Sequence, residues 1–228
     1  MDCSDALDWR LPDGAQQFWL VMDELTASSD FVALSIVKAC VNDPTARMAF
    51  VSFQEPRSHY DAILHRTGVK WDSDRLLFID GLSDQDVWDS PEYVDGLRLR
   101  LTRWSNDDRE DVPRVCVIDG ASVLLESARN PADVVDFVRL LLDECIGVVF
   151  CVRSDISAHA GAIACLQDIA DVSVRVCPLA TGYNPNIDGQ LRISRRPNFC
   201  HPPTNPSPVH FRRSDTEVTV FTRGSLFQ

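Results

Sequence analysis

Apolar residues recur along this chain in short unbroken runs, separated by stretches with helical spacing. Gln17–Asp23, Met48–Phe53, Leu76–Asp80, Arg114–Asp119, Gly147–Val152 and Val172–Cys177 each read as a strand. Because these runs are continuous rather than alternating, they predict a parallel sheet covered on both faces. Between them, Phe31–Cys40, His59–Arg66 and Gly161–Ala170 read as helices. Tyr60, Ile63 and Leu64 line one side of the second of these, and Tyr93, Val94, Leu97 and Leu101 mark a further helix by their 3.6-residue stripe. Val134–Leu142 is apolar enough to predict a largely buried helix. Start signals agree with the pattern: Ser29 or Asp30 as an N-cap, then Ser90-Pro91 and Asn130-Pro131, each a capping residue followed by proline.

After Pro178 the pattern changes. Gln190–Arg196 and Glu217–Thr222 alternate polar and apolar positions, as antiparallel strands with one wet face do. Residues 197–208 hold five of the thirteen prolines and predict an extended loop. The whole reads as one α/β domain over residues 1–228, with a mostly parallel sheet, helices on both faces and antiparallel C-terminal strands. Residues 1–15 are expected to be a flexible extension.

Composition narrows the function classes. With 45% hydrophobic and 25% charged residues, the chain has the make-up of a soluble globular protein. Its acidic start, Met1-Asp2-Cys3-Ser4-Asp5, is unlike a secretory signal. The apolar run at Ile146–Val152 is too short to span a bilayer, so no membrane association and an intracellular site are expected. Eight cysteines, at 3, 40, 116, 145, 151, 165, 177 and 200, form no CxxC pair and sit mostly inside apolar runs. They predict buried free thiols, not a zinc cluster or disulfide framework.

The net charge of −12 argues against a free-standing nucleic-acid binder. The charge is uneven, however. From Gln190 onward, Arg192, Arg195, Arg196, Arg212, Arg213 and Arg223 face only Asp215 and Glu217. These arginines form either a solvated strand face or a surface for an acidic protein or RNA partner. Alternation along the strand puts Arg192 and Arg196 on one face and Arg195 on the other.

The first strand-to-helix turn is where a nucleotide-binding α/β domain would carry GxxxxGK[ST]. Here it reads Asp23-Glu24-Leu25-Thr26-Ala27-Ser28-Ser29-Asp30, without glycine or lysine, and Lys38 and Lys70 are the only lysines in the chain. Three carboxylates oppose phosphate; a like-charge contact near 4 Å costs roughly 4 kcal/mol at an effective dielectric of about 20. Asp119 stands where a metal-binding aspartate follows a strand, yet a turn-capping role suits it better without a phosphate loop. Gly120-Ala121-Ser122 starts like a nucleophile elbow but has Leu124 at the last glycine position. Asp155, Ser157 and His159 are too close in sequence to converge as a triad and read as a turn or cap. The five histidines, 59, 65, 159, 201 and 210, make no HExxH pattern, and Cys200-His201 has no second pair. No cofactor or metal is expected.

Several stretches together resemble one family, the sixth subunit of the Elongator complex. Val51-Ser52-Phe53-Gln54, then Ser58-His59-Tyr60 and Thr67-Gly68-Val69, are similar to its "FVSL-Q…SHY…LGV" segment. Leu77–Leu82 resembles its "FLEGL" strand, Asp188-Gly189-Gln190-Leu191 its "DIHGQL", and Val218–Gly224 its closing "VTFFAKG". The first turn departs, having Ser29-Asp30 where Gly-Ser is usual, and so does the proline-rich insert. The resemblance implies a RecA-like domain without catalytic residues. It implies a hetero-hexameric ring with Elongator subunits four and five, docked on the catalytic subcomplex, which binds tRNA and supports wobble-uridine modification in the cytoplasm and nucleus. The competing readings are a pseudo-ATPase adaptor of the recombinase-paralogue kind and a divergent ATPase or hydrolase using Ser122 or His159.

Overall fold

The computed structural model describes residues 7, 9, 16–71, 74–83, 93–106, 112–128, 130–182, 184–196, 208–214 and 217–222. Nine strands form one sheet in the order β3-β2-β4-β5-β1-β6-β7-β8-β9. Its parallel part comprises β1 (Gln17–Asp23), β2 (Arg47–Ser52), β3 (Leu76–Asp80), β4 (Arg114–Asp119), β5 (Gly147–Arg153) and β6 (Val172–Cys177). Then β7 (Gly189–Arg195), β8 (Val209–Arg213) and β9 (Val218–Thr222) add antiparallel beyond β6. The fold class read from the sequence is thus observed.

The helices divide between two faces. On one lie α1 (Asp30–Asn42) and α2 (Arg57–Arg66), whose Phe31, Ile36, Tyr60 and Leu64 bury against Trp19, Val21, Phe50 and Val149. On the other lie α3 (Tyr93–Ser105), α4 (Ser122–Ser127), α5 (Pro131–Glu144) and α6 (Ala160–Ile169), over Phe18, Leu20, Val51, Ile118 and Phe150. Since successive strand residues point to opposite faces, β1 to β5 each feed both cores, and each large buried side chain contributes about 1.5–3 kcal/mol. The all-apolar runs follow from this. By contrast, β6 feeds only the first core, through Val172, Val174 and Val176, and alternates where a continuous run was expected. The terminal strands feed only the first face, through Leu191, Phe211 and Val220. Their alternation follows from that.

Four expectations need correction. The stretch over 134–142 is not uniformly buried: Val134, Val135, Phe137, Val138 and Leu141 are, but Asp136, Arg139 and Leu140 are exposed, making α5 a two-faced helix. Within residues 1–15, Leu7 and Trp9 are buried, Trp9 packing edge-on to Trp19 at 4.9 Å, so this stretch is not wholly a free extension. Its other residues, like Ser90, Pro91, Arg223 and 197–207 of the proline-rich segment, lie outside the described residues. Cys40, Cys116, Cys145, Cys151 and Cys177 are buried free thiols as expected, but Cys165 is exposed. Finally, α4 and β8 were not anticipated. The asparagine start of α5 forms a capping box with Asp133, as its sequence suggests.

Candidate functional site

Ligands of open α/β sheets bind beyond the carboxyl ends of the strands. At that edge the strand register sets Asp80, Ser52 and Asp119 in one row across β3, β2 and β4, with Asp23 beside Arg153 on β1 and β5.

The β1–α1 turn folds onto itself. Asp23 Oδ2 accepts hydrogen bonds from Ser29 N at 2.9 Å and Ser29 Oγ at 3.0 Å. Ala27 N donates to Glu24 O, and Leu25 N to Asp155 Oδ2 at 2.9 Å. Further along, Asp30 N reaches Ser28 Oγ, Phe31 N reaches Asp30 Oδ1 and Val32 N reaches Ser29 O. Six backbone N–H groups of the turn and first helical turn are therefore bonded within the protein. Ser29 occupies the N-cap position without a side-chain cap bond, and the Asp30 side chain accepts from its neighbour Phe31 N. Burial pushes the Asp23 carboxyl above its ordinary range; the Ser29 bonds and Arg153 pull against that.

The second cluster gathers residues far apart in sequence. Tyr60 Oη donates to Asp119 Oδ2 at 2.7 Å, Gln54 Nε2 donates to Oδ1 at 3.2 Å, and Ser52 Oγ meets Tyr60 Oη at 2.9 Å. Burial raises the Asp119 carboxyl to about 6; the Tyr60 hydroxyl opposes the rise, and Asp30 and Asp23 add to it. Gly120 follows at φ 74°, where a Cβ would lie 2.6 Å from Gln54 Cγ, so only glycine lets Gln54 lie across the turn. Ser52, Gln54 and Tyr60 come from the two motif segments singled out in the sequence. Asp119 takes Gln54 and Tyr60 directly and Ser52 through the Tyr60 hydroxyl, uniting those motifs as a buried polar bracket between β2, α2 and β4.

The other motif positions are structural or surface-exposed. Ser58 is exposed, and His59 is half-exposed with Nδ1 at 3.8 Å from Glu55. Gly68 follows α2 at φ 75° with its N–H on His65 O. Asp188 accepts from Arg213 N, and a Cβ on Gly189 would come within 2.7 Å of both Cys177 O and the Phe211 ring. The hydrolase candidates do not converge. Ser122 Oγ accepts from Arg153 N at 2.8 Å, Asp155 holds the first turn, and buried His159 has Nε2 at 3.7 Å from Glu126. Among the described residues no metal-binding cluster of His, Cys, Asp or Glu occurs.

The arginines divide. Arg195 is half-buried, its guanidinium 5.5 Å from the Trp19 ring centroid and donating to Leu7 O at 2.8 Å, so it serves the fold. Arg213 is 3.6 Å from Asp30. By contrast, Arg192, Arg196 and Arg212 are exposed. Pairing of Arg192 with Arg175 across β6–β7 adds a half-buried arginine that sequence reading missed, although the Val-Ser-Val-Arg-Val alternation of β6 signals it.

Fold and edge geometry define a RecA-like α/β protein. At 12% identity, the chain superposes on a KaiC-like protein of Pyrococcus horikoshii with a TM-score of 0.67, covering 96% of this chain and 94% of that one. It superposes on the flagellar accessory protein FlaH of Methanocaldococcus jannaschii with a TM-score of 0.70, covering 97% of each chain at 12% identity. In sequence, the chain is similar to Elongator complex protein 6 of Dictyostelium discoideum, 24% identical over 149 residues. That match covers 60% of this chain and 43% of the relative, so the chain spans less than half the length of the curated relative it matches. No family model matches. The resemblance drawn from the motifs is thereby borne out: this is an Elongator-subunit-six-like RecA fold.

Proposed function

We propose that the chain is a non-catalytic RecA-like subunit of the Elongator complex. In this reading it alternates with subunits four and five in a hetero-hexameric ring, docks on the catalytic subcomplex, and supports wobble-uridine modification of tRNA bound by the ring, in the cytoplasm and nucleus. The observation that carries it is the β1–α1 turn, whose N–H groups are bonded by Asp23, Ser28, Asp30 and Asp155 where a nucleotide-binding domain would offer them to phosphate. Similarity to Elongator complex protein 6 supplies the complex. Exposed Leu99 on α3 and Leu140 on α5 line a groove of about 650 Å³ together with Phe137, Arg98, Asp133 and Asp136, a mixed polar and apolar surface of the kind a neighbouring subunit can cover. Among the described residues no helix is long and apolar enough to cross a membrane.

Affinity purification of the tagged chain from its native cells tests this. Recovery of the large Elongator subunits together with subunits four and five is expected. Recovery of recombinase-type partners instead would assign the chain to DNA repair and overturn the proposal.

A further inference from the structure

We propose that the face of β6–β9 turned away from α1 and α2 binds a single-stranded nucleic acid segment, phosphates on its arginines and bases against its rings. On the α3–α6 side of the sheet the apolar core ends at β1, and it includes no residue of β6, β7, β8 or β9. Beyond β1 that side is mostly polar: Arg192 and Arg212 are exposed, Arg175, Gln190, His210 and Phe221 half-buried, and Cys177 buried. Register places Arg175 opposite Arg192, and sets Cys177, Gln190, His210 and Phe221 in one row crossing four strands, with Arg212 opposite Thr219 beyond it. Strands about 4.8 Å apart give such a row a reach of two or three nucleotides. His210 and Phe221 lie 5.8 Å apart with their planes at 70°.

The chemistry of this face selects its occupant. It has three arginines, a glutamine, a histidine and a phenylalanine, and no aliphatic side chain at these positions, whereas a protein interface needs an apolar centre. Arginine and flat rings beside hydrogen-bonding side chains suit a polyanion whose bases stack. Among the described residues, Arg175, Arg192, Arg196 and Arg212 make no salt bridge, in a chain of net charge −12. Among the described residues three carboxylates border the face: Glu24, beside Cys177, Asp188, which holds Arg213 N, and Asp171 at the start of β6, whose carbonyl accepts from Arg196 N. The inference deepens the proposed function by giving this subunit its own contact with RNA, and rests on that reading only for RNA over DNA.

Fluorescence anisotropy of the full chain with labelled twelve-nucleotide oligo-U and oligo-dT, across a salt series, tests it. Binding of oligo-U is expected, weakened about tenfold or more by Arg192→Gln with Arg212→Gln, with the log–log salt slope falling by about 0.7 per arginine. Phe221→Ala should weaken binding about tenfold, in the range found for one lost stacking contact. Arg98→Gln with Arg139→Gln, on α3 and α5, should leave binding unchanged, and circular dichroism melts report whether each variant folds. No binding by the wild-type chain, or equal affinity and slope for the face variants, overturns the proposal. So does a face variant that binds oligo-U normally while losing subunits four and five on co-purification. Tighter binding of oligo-dT than oligo-U supports the face but contradicts the Elongator reading, separating the two.

Discussion

Replacing Tyr60 by phenylalanine removes one hydroxyl from the bracket that joins β2, α2 and β4. In the wild type that hydroxyl donates to Asp119 at 2.7 Å and meets Ser52 at 2.9 Å. Without it, the Asp119 side chain keeps Gln54 at 3.2 Å and the Gly120 N–H. Asp119 is raised by burial from 3.8 to about 6, so the folded chain holds that proton more tightly than the unfolded one. Its contribution to stability is fully present below about pH 4 and is lost as pH rises through about 6, a swing of about 3 kcal/mol. The Tyr60 hydroxyl opposes the rise, so Tyr60→Phe moves the carboxyl further upward and costs most where Asp119 is ionised. A hydrogen bond to a charged group is worth about 1.5–3 kcal/mol and a neutral one about 1. Tyr60→Phe should therefore destabilise by about 2–3 kcal/mol at pH 8 but only about 1 at pH 5, read from urea unfolding followed by tryptophan fluorescence. Asp119→Asn should remove this difference when combined with Tyr60→Phe. An equal penalty at both pH values, or one below about 0.5 kcal/mol at pH 8, would refute the assignment of Asp119 as an ionised buried partner.

Other substitutions probe the frame around the site. Gly189→Val should lower the melting temperature sharply, because a Cβ there meets the Phe211 ring and Cys177 O, while Gly161→Ala, with open space around it, should not. Asn130→Ala should cost about 1 kcal/mol in urea unfolding through loss of the α5 capping box. Arg195→Gln should destabilise the chain by about 1 kcal/mol, whereas Arg192→Gln should change stability by less than about 0.5, since Arg195 alone lies over Trp19.

How much of this was legible in the chain depended on physical signal strength. Strands with runs of apolar residues announce themselves: β1, β3 and β4 run over the residues expected of them, and so does β6, although it buries only its Val172, Val174 and Val176 face in a core. The helix α4 is six residues long, too short for a helical period to register. In β8, Val-His-Phe-Arg-Arg has only Phe211 fully buried and follows a proline-rich stretch, so its alternation was lost. Overall hydrophobicity misled at α5, where Leu140 is on the wet side despite its apolar neighbours. For the site, sequence showed that the first turn lacks phosphate-binding residues, but not that Asp23 and Asp155 tie up its N–H groups, because Asp155 is brought there by β5 from 130 residues away. Tyr60 and Asp119 are 59 residues apart, and only the β2–β4 pairing unites them. Alternation separated Arg192 from Arg195 correctly, yet could not say which face was the inner one; Trp19 and Leu7 decide that.

The central claim is that this RecA-like domain has given its phosphate-binding turn over to its own side chains. Isothermal titration of the purified chain with ATP and Mg²⁺ tests that most directly. No heat of binding up to millimolar ATP is expected, both because the turn's N–H groups are occupied and because Asp23 and Asp30 repel phosphate. Saturable binding in the micromolar range, lost on mutation within residues 23–30, would contradict it.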